Sequence, residues 1–341
     1  MKTVLSIDGG GIRGLIPAVI LAKLEEALAA RGLPTALDHH FDLICGTSTG
    51  GIIAAGLTTP HPAGGDRAAF NAADLVALYK DHGADIFARP WWRALTSVVR
   101  RAAYDPTTLE TMLEERLGQA RLRDARTRVT LTAYDIDARR AVFMTNTEDD
   151  PEDYAVREAA RATAAAPTFF PPAQVRPLRH GEPITRTLVD GGVFANDPVF
   201  SAFVEARKNG FAAGDIHILS LGTGVATRSY PYREARNWGL IDWLRPSNAT
   251  PIISILMHGQ ASSAAYLADR LLNEAEAPRY ARIDMRLTAP AKDDLDDTSP
   301  DNLRALEQVA LAELETEAGR RALERVVSWL EWRGGESAAA D

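Results

Sequence analysis

Cysteine is almost absent from this sequence, since Cys45 is the only one among 341 residues. A single thiol cannot form a disulfide within the chain, and it cannot build a cysteine-rich metal site. We therefore expect neither a disulfide framework nor a cysteine-rich metal site. Nothing in the composition requires an organic cofactor.

Positive charge is also in short supply. The chain has 38 lysine and arginine residues against 46 aspartate and glutamate residues, which gives a formal net charge of -8. Proteins that bind nucleic acids rely on a basic face for much of their affinity. The charge balance therefore argues against a nucleic-acid polymer as a partner.

Long apolar runs are missing as well. The first residues, MKTVLSIDGGG, contain one lysine and only a short apolar stretch, which does not fit a secretory signal. No apolar span of the length that a membrane helix needs occurs later in the sequence. We predict a cytoplasmic protein whose contact with membranes is at most peripheral.

Short β-rich segments alternate with segments of helical periodicity. A strand predicted at Thr3–Asp8 precedes a helix at Ile12–Arg31, and the same order recurs at Phe41–Cys45 and Ile52–Leu57. The alternation predicts an α/β fold with a largely parallel sheet that is covered on both faces. An amphipathic helix at 302–332 is expected to pack on the body of the protein, and an oligomer seam that uses Trp329 and Trp332 is the alternative.

The chain is predicted to form one domain. The Gly/Pro-rich stretch at 59–67 and the acidic stretch at 291–302 are both interpreted as surface loops, because predicted strands continue between them. We place a single domain at 1–333, with a catalytic core at about 5–224 and a helical part at 225–333. Residues 334–341 are predicted to be a disordered tail.

The stretch GTSTG at 46–50 has the glycine spacing of a nucleophile elbow. Gly46 and Gly50 flank Ser48 at a point where a predicted strand gives way to a helix of small residues. An elbow brings backbones close together, so bulky side chains at the two flanking positions would clash. The start of the following helix favours an oxyanion. An ordinary glycine-rich turn would share the spacing, but the strand and helix around it favour a catalytic serine.

A second glycine-rich loop, DGGGIRG at 8–14, follows the first predicted strand. Its GxGxxG pattern would fit a dinucleotide site, but the acidic residue expected at the end of the second strand is missing there, because that strand ends at the elbow. The N–H groups of Gly9, Gly10 and Gly11 could instead form an oxyanion hole, with Arg13 holding the loop or adding positive potential. A tight turn without catalytic role fits the same residues.

A base must activate Ser48, and the histidines offer no good candidate. None of the seven occupies a loop after a late strand, where the histidine of a triad belongs. Asp190 closes a β-rich segment and is followed by Gly191 and Gly192, which permit a tight turn beside another group. A partly desolvated carboxylate there could accept the serine proton directly. An ordinary turn aspartate remains the alternative.

Together, DGGGIRG, GTSTGG and DGGVFANDP resemble the patatin-like phospholipase family in their order and spacing. The resemblance continues through DIFARPWWRAL, AAYDPTTLETMLEERLG, AARATAAAPTFFPP and LSLGTG, and extends from Leu5 to about Arg286. Two positions depart from the family pattern, one within ATAAAPTFF and one at Asp197, and neither belongs to the dyad. The compact, single-domain bacterial members are the most similar type.

The resemblance implies a three-layer α/β/α fold and a dyad without histidine. By position, Ser48 is the nucleophile, Asp190 is the general base, and Gly9, Gly10 and Gly11 form the oxyanion hole. The implied activity is hydrolysis of fatty acyl esters of membrane phospholipids or galactolipids through an acyl-enzyme, without a metal or cofactor. The sequence predicts no headgroup preference and no oligomeric state.

The membrane contact and the regulation have more than one interpretation. Phe87, Trp91, Trp92 and Leu95, interleaved with arginines, would suit a flap at a lipid surface, or else a helix whose tryptophans enter the core. Phe169 and Phe170 either line an acyl channel or pack their own loop. One alternative function is a phospholipase effector of anti-phage defence activated by a cyclic nucleotide. Another is a storage or binding protein on the same fold, which the intact dyad disfavours.

Overall fold

The computed structural model describes residues 1–88, 102–147, 152–178, 184–244, 250–273 and 277–338. Trp91, Trp92 and Leu95 of the predicted flap lie outside the described residues. The eight strands are β1 (Lys2–Ile7), β2 (Leu43–Thr47), β3 (Arg128–Asp135), β4 (Arg140–Thr145), β5 (Ala173–Val175), β6 (Arg186–Asp190), β7 (Ile216–Leu221) and β8 (Tyr280–Ile283).

The helices alternate with these strands through most of the described chain. The first six are α1 (Leu15–Ala30), α2 (Thr49–Thr58), α3 (Ala72–Ile86), α4 (Thr107–Leu117), α5 (Val156–Thr163) and α6 (Gly192–Ala195). The others are α7 (Val199–Lys208), α8 (Tyr232–Ala235), α9 (Leu240–Trp243), α10 (Pro251–Leu272), α11 (Pro300–Leu314) and α12 (Glu317–Ala338).

One mixed sheet contains all eight strands. β3, β2, β1, β7 and β8 run parallel in that order. β4 and β6 each pair antiparallel with β3, and β5 pairs antiparallel with β6. Helices cover both faces of this mostly parallel sheet, as the sequence predicted. The antiparallel strands were not foreseen, because strand direction depends on long-range pairing that local patterns do not encode.

The apolar side chains of the central strands point alternately into two separate cores, one on each face of the sheet. In β2, Ile44 belongs to the larger core with α1 and α2, while Leu43 and Cys45 face the smaller core with α7 and α10. Successive side chains of a strand point to opposite faces, so a strand buried on both sides is apolar throughout. The three-layer α/β/α architecture follows from this pattern.

The C-terminal segment differs from its prediction. Two helices, α11 and α12, replace the single helix expected at 302–332, with the break at Glu315 and Thr316. The Thr316 hydroxyl accepts a hydrogen bond from the Gly319 N–H at 2.9 Å, which caps the second helix. Apolar residues of both helices, Leu306 and Leu330 among them, are buried in the larger core, which confirms that the segment packs on the body.

The last helix also continues beyond the predicted end. α12 extends to Ala338, into the segment that was predicted to be a disordered tail. Residues 339–341 of that tail lie outside the described residues.

Candidate active site

Ser48 lies at the sharp turn between β2 and α2. Its backbone has φ 56° and ψ -124°, in the positive-φ region that a residue with a side chain rarely adopts. The Ser48 N–H donates a hydrogen bond of 2.9 Å to the Thr163 hydroxyl, which helps to hold this conformation. The side chain therefore sits at the end of a buried strand and at the start of a helix, as in a nucleophile elbow.

The glycines around Ser48 are required by space. A Cβ atom on Gly46 would overlap the backbone of Gly50, and a Cβ on Gly50 would overlap the carbonyl oxygen of Ile7. The elbow is thus wedged against β1, and only glycine permits the approach at both positions.

The way in which β2, β4 and β6 pair with β3 explains why Asp190 meets Ser48. β4 occupies one edge of β3 over residues 130–135, so β2 and β6 must share the other edge. Thr47 at the end of β2 lies opposite Thr132, and Asp190 at the end of β6 lies opposite the next residue, Ala133. Since β6 runs against β2, the two strands meet end to end and bring Ser48 to Asp190.

Burial strongly changes the acidity of Asp190. Desolvation raises the pKa of this carboxyl to about 7, against the opposing effects of the Ser48 hydroxyl and the Gly192 N–H. Oδ1 accepts the Gly192 N–H at 2.7 Å, whereas Oδ2 is buried and has no hydrogen-bond partner among the described residues. Gly191 is also required by space, because a Cβ there would overlap Thr132.

The first glycine loop lies beside the elbow, but its three N–H groups are not equivalent. The Gly9 N–H donates to the carbonyl oxygen of Asn196 at 3.0 Å, so it is not free to bind an acyl oxygen. The N–H groups of Gly10 and Gly11 have no acceptor among the described residues. A Cβ on Gly9 would come within 3.1 Å of the Ser48 Cβ, which shows how closely the loop approaches the serine.

Arg13 connects the glycine loop to the loop after β7. Its Nε donates to the carbonyl oxygen of Gly10 and its Nη1 to that of Gly224, each at 3.3 Å. The guanidinium is buried, which lowers its pKa, although nearby aspartates oppose the change. Of the two roles predicted for Arg13, these contacts support holding the loop.

Arg282 at the centre of an acidic cluster was not anticipated from the sequence. Its guanidinium donates to Asp8 Oδ2 at 2.7 Å, to Asp197 Oδ2 at 3.1 Å and to Asp284 Oδ2 at 2.7 Å. Burial raises the pKa of Asp8 and of Asp197 despite the arginine. Asp8 lies just before Gly9, and Asp197 lies just after Asn196, whose carbonyl oxygen accepts the Gly9 N–H. The cluster therefore anchors both partners of that hydrogen bond. The only sequence signal was the unusual aspartate at 197.

Two adjoining cavities open at the site. A small apolar cavity of about 60 Å³ contains Ser48 and Asp190, and Phe87, Phe169 and Phe170 contribute to its wall. No histidine lines this cavity in the described part of the chain. Phe170 also packs against Tyr104 at 5.7 Å between ring centres, so it serves both as a wall and as loop packing.

A larger polar cavity of about 410 Å³ adjoins the apolar one and shares Phe169, Met257 and Leu295 with it. Its other walls come from the glycine loop, the loop after β7, α10 and the acidic stretch that precedes α11. Aspartates outnumber arginines on its wall, with Asp8, Asp284, Asp293, Asp294 and Asp296 against Arg13 and Arg282. Ser48 and Asp190 thus lie in an apolar cavity that adjoins an acidic one.

Membrane-spanning segments were not expected. Across the ranges described above, no helix combines the length and the hydropathy that crossing a bilayer requires.

Comparisons with known proteins agree with the geometry. A family model for patatin-like phospholipase matches residues 5–203, more than half of the chain. Patatin-like protein 1 of Arabidopsis thaliana is 32% identical, over 91% of this chain and 80% of its own. Probable inactive patatin-3-Kuras 1 of Solanum tuberosum is 33% identical, over 91% of this chain and 85% of its own.

The solved structure of VipD from Legionella pneumophila aligns at 11% identity with a TM-score of 0.43, over 97% of this chain and 66% of that one. That likeness is too low to support an argument. The two curated relatives are plant proteins, and the compact bacterial type stays a prediction. On the family match and the curated relatives, the chain belongs to the patatin-like phospholipase family.

Proposed function

We propose that this protein is a serine lipid acyl hydrolase of the phospholipase A type that works through a dyad of Ser48 and Asp190. Family membership supports lipid acyl hydrolysis in general. The observation that carries the dyad is the meeting of an elbow serine with a buried carboxyl whose pKa is about 7, so that it can exchange protons near neutral pH.

The proposed reaction has two half-reactions. Asp190 removes the proton from Ser48 as its Oγ attacks the ester carbonyl carbon, and the N–H groups of Gly10 and Gly11 stabilise the oxyanion. The C–O bond then breaks, and Asp190 returns its proton to the leaving alcohol. In the second half, Asp190 takes a proton from water, which attacks the acyl-enzyme. The fatty acid leaves as the proton returns to Ser48.

The two cavities suggest how a lipid would bind. The apolar cavity at Ser48 would take the acyl carbons next to the ester, because its wall offers aromatic and aliphatic side chains. The adjoining polar cavity would receive the leaving glycerol part with its headgroup. A phospholipid is the proposed substrate, and another acyl ester with an apolar tail would fit the same arrangement.

Neither alternative function gains support from these features. A cyclic nucleotide carries negative phosphates, whereas the large cavity beside the dyad is rich in aspartate. A storage protein would have no need for an elbow serine beside a carboxyl of raised pKa. Because one potato relative is named probable inactive, activity must be tested on this chain itself.

The test is fatty-acid release from mixed phospholipid vesicles. Wild type is compared with Ser48→Ala and Asp190→Asn, and with Ser328→Ala as a control at an exposed serine of α12. We expect wild type and the control to be equally active and both dyad variants to lose at least ~1000-fold in kcat. Release that survives Asp190→Asn would overturn the dyad. Release that appears only when cyclic di- or trinucleotides are added would favour the nucleotide-activated effector.

A further inference from the structure

An exposed apolar surface lies on α9 and the first turns of α10. Leu240 is 75% exposed, Ile241 is 79% exposed and Leu256 is 60% exposed, and Leu244 and Ile255 are also exposed beside them. These five residues are here called the α9–α10 surface. Contiguous apolar side chains in water are unfavourable, so such a surface indicates an interaction site.

α10 carries part of the α9–α10 surface and, on another side, part of the wall of the polar cavity. Ser254, His258 and Ala261 on one side of α10 line that cavity, and Met257 lines both cavities. The loop after β7 lines the cavity with Thr223, Gly224, Val225 and Ala226, and α10 lines it from Ser254 onward. Residues 230–244, which include α8 and α9 and lie between these two lining segments in sequence, are here called the excursion.

Three partly buried aromatic residues of the excursion pack against one another. Tyr230 and Trp238 lie 5.3 Å apart between ring centres, and Trp238 and Trp243 lie 5.0 Å apart, both pairs in edge-to-face geometry. Tyrosine and tryptophan are enriched where proteins meet the headgroup layer of a bilayer, because their rings are apolar with one polar atom.

The charge of the excursion also fits a lipid surface. In a protein of net charge -8, its described part from 230 to 244 carries two arginines, Arg233 and Arg236, against Glu234 and Asp242, which sums to zero. A neutral surface is not repelled by a bilayer of zwitterionic lipids, and its binding would depend on apolar contact and little on salt.

We propose that the α9–α10 surface docks on a phospholipid bilayer and brings the cavity mouth to the lipid. The proposal rests on the proposed function, since an ester carbonyl must leave the bilayer to reach Ser48. Leu240 and Ile241, the two most exposed aliphatic residues of the surface, would enter the interfacial layer. The docking site is distinct from the dyad and touches no residue assigned to the reaction.

The test separates docking from chemistry. Leu240→Asp/Ile241→Asp is compared with Ile184→Asp, a control at an aliphatic residue that is 56% exposed just before β6, towards the opposite end of the sheet. Binding to phosphatidylcholine vesicles is measured by co-sedimentation in a Ser48→Ala background, which leaves the lipid intact. Hydrolysis of a water-soluble short-chain ester is measured with the serine present.

We expect the double variant to lose about 30-fold in vesicle partitioning and in vesicle hydrolysis, while soluble-ester kcat/KM stays within about twofold of wild type. The control should match wild type in all three assays. Vesicle binding by the double variant at the wild-type level would overturn the proposal. A wild-type dimer in solution that the double variant dissociates would assign the surface to a second copy of the chain instead.

The two proposals can fail separately. If wild type hydrolyses no soluble ester and no vesicle lipid, the proposed function fails, whereas vesicle binding that depends on Leu240 and Ile241 would still support docking. If the soluble ester is hydrolysed and the vesicles are not bound, docking fails and the dyad stands.

Discussion

Replacing Asp190 by asparagine is expected to stabilise the fold at alkaline pH while it abolishes catalysis. The side chains have nearly the same shape, and the asparagine carbonyl can still accept the Gly192 N–H that Oδ1 accepts at 2.7 Å in the wild type. The important difference is charge. Above pH 7 the wild type must keep an ionised carboxylate in a buried site, whereas asparagine stays neutral.

The magnitude follows from the acidity of the group. Asp190 titrates at about 7 in the folded protein, against an ordinary value of 3.8. Because the folded pKa is raised, the native state holds a proton between these pH values that the unfolded state has lost, and stability falls as pH rises through this window. The total loss by pH 8 is about 4 kcal/mol. The asparagine variant avoids that loss.

The free energy of unfolding is measured by urea titration. We expect Asp190→Asn to be more stable than wild type by about 4 kcal/mol at pH 8, and by about 1 kcal/mol at pH 4.5, where most of the penalty is absent. If the difference in free energy of unfolding between Asp190→Asn and wild type is the same at both pH values, burial does not raise the pKa of Asp190 and the reasoning is refuted.

The same carboxyl determines the pH dependence of catalysis. Only the ionised form of Asp190 can accept the proton of Ser48, so kcat/KM for a neutral soluble ester should rise tenfold per pH unit and level off above an apparent pKa of about 7. A profile that levels off near pH 4 would show that the base is an ordinary exposed carboxylate, and the reasoning from burial would be wrong.

Three further substitutions test the construction of the site. Gly50→Ala should prevent folding, because its Cβ would overlap the Ile7 carbonyl, whereas Gly214→Ala, which has open space around it, should leave the circular dichroism spectrum and yield unchanged. Arg282→Met should lower the free energy of unfolding by about 3–5 kcal/mol at pH 7, as measured by urea titration. The loss should be smaller at pH 4, because protonation removes the negative charge of the aspartates that have lost their arginine partner. Thr163→Val should lower kcat about tenfold with little change in KM on a soluble ester, since the elbow loses the acceptor of its serine N–H; an unchanged kcat would contradict that role.

The elbow could be predicted from sequence because its determinants are local. Gly46, Ser48 and Gly50 lie within five consecutive residues, and a strand before them and a helix after them leave separate patterns. The glycines after Asp190 gave a similar local signal. From the residues alone the pairing of Ser48 with Asp190 was one of two interpretations, and family resemblance favoured it. Its structural cause is that β2 and β6 share one edge of β3.

Other features could not be predicted, because distant residues create them. The Gly9 N–H is occupied by the Asn196 carbonyl, so the free donors of the loop are those of Gly10 and Gly11. Arg282, far along the chain, anchors the aspartate that precedes the same loop. Hydrogen-bond partners of this kind depend on how the chain folds back, which no local pattern records.

By itself, the sequence determined the alternation of strands and helices, the absence of a disulfide, and the glycines that permit close backbone approach, since each follows from neighbouring residues. The tertiary structure alone decided that Asp190 is desolvated enough to titrate near 7, and that the apolar residues of the α9–α10 surface remain exposed. Burial is a property of everything packed around a side chain, and residues from all parts of the chain contribute to it.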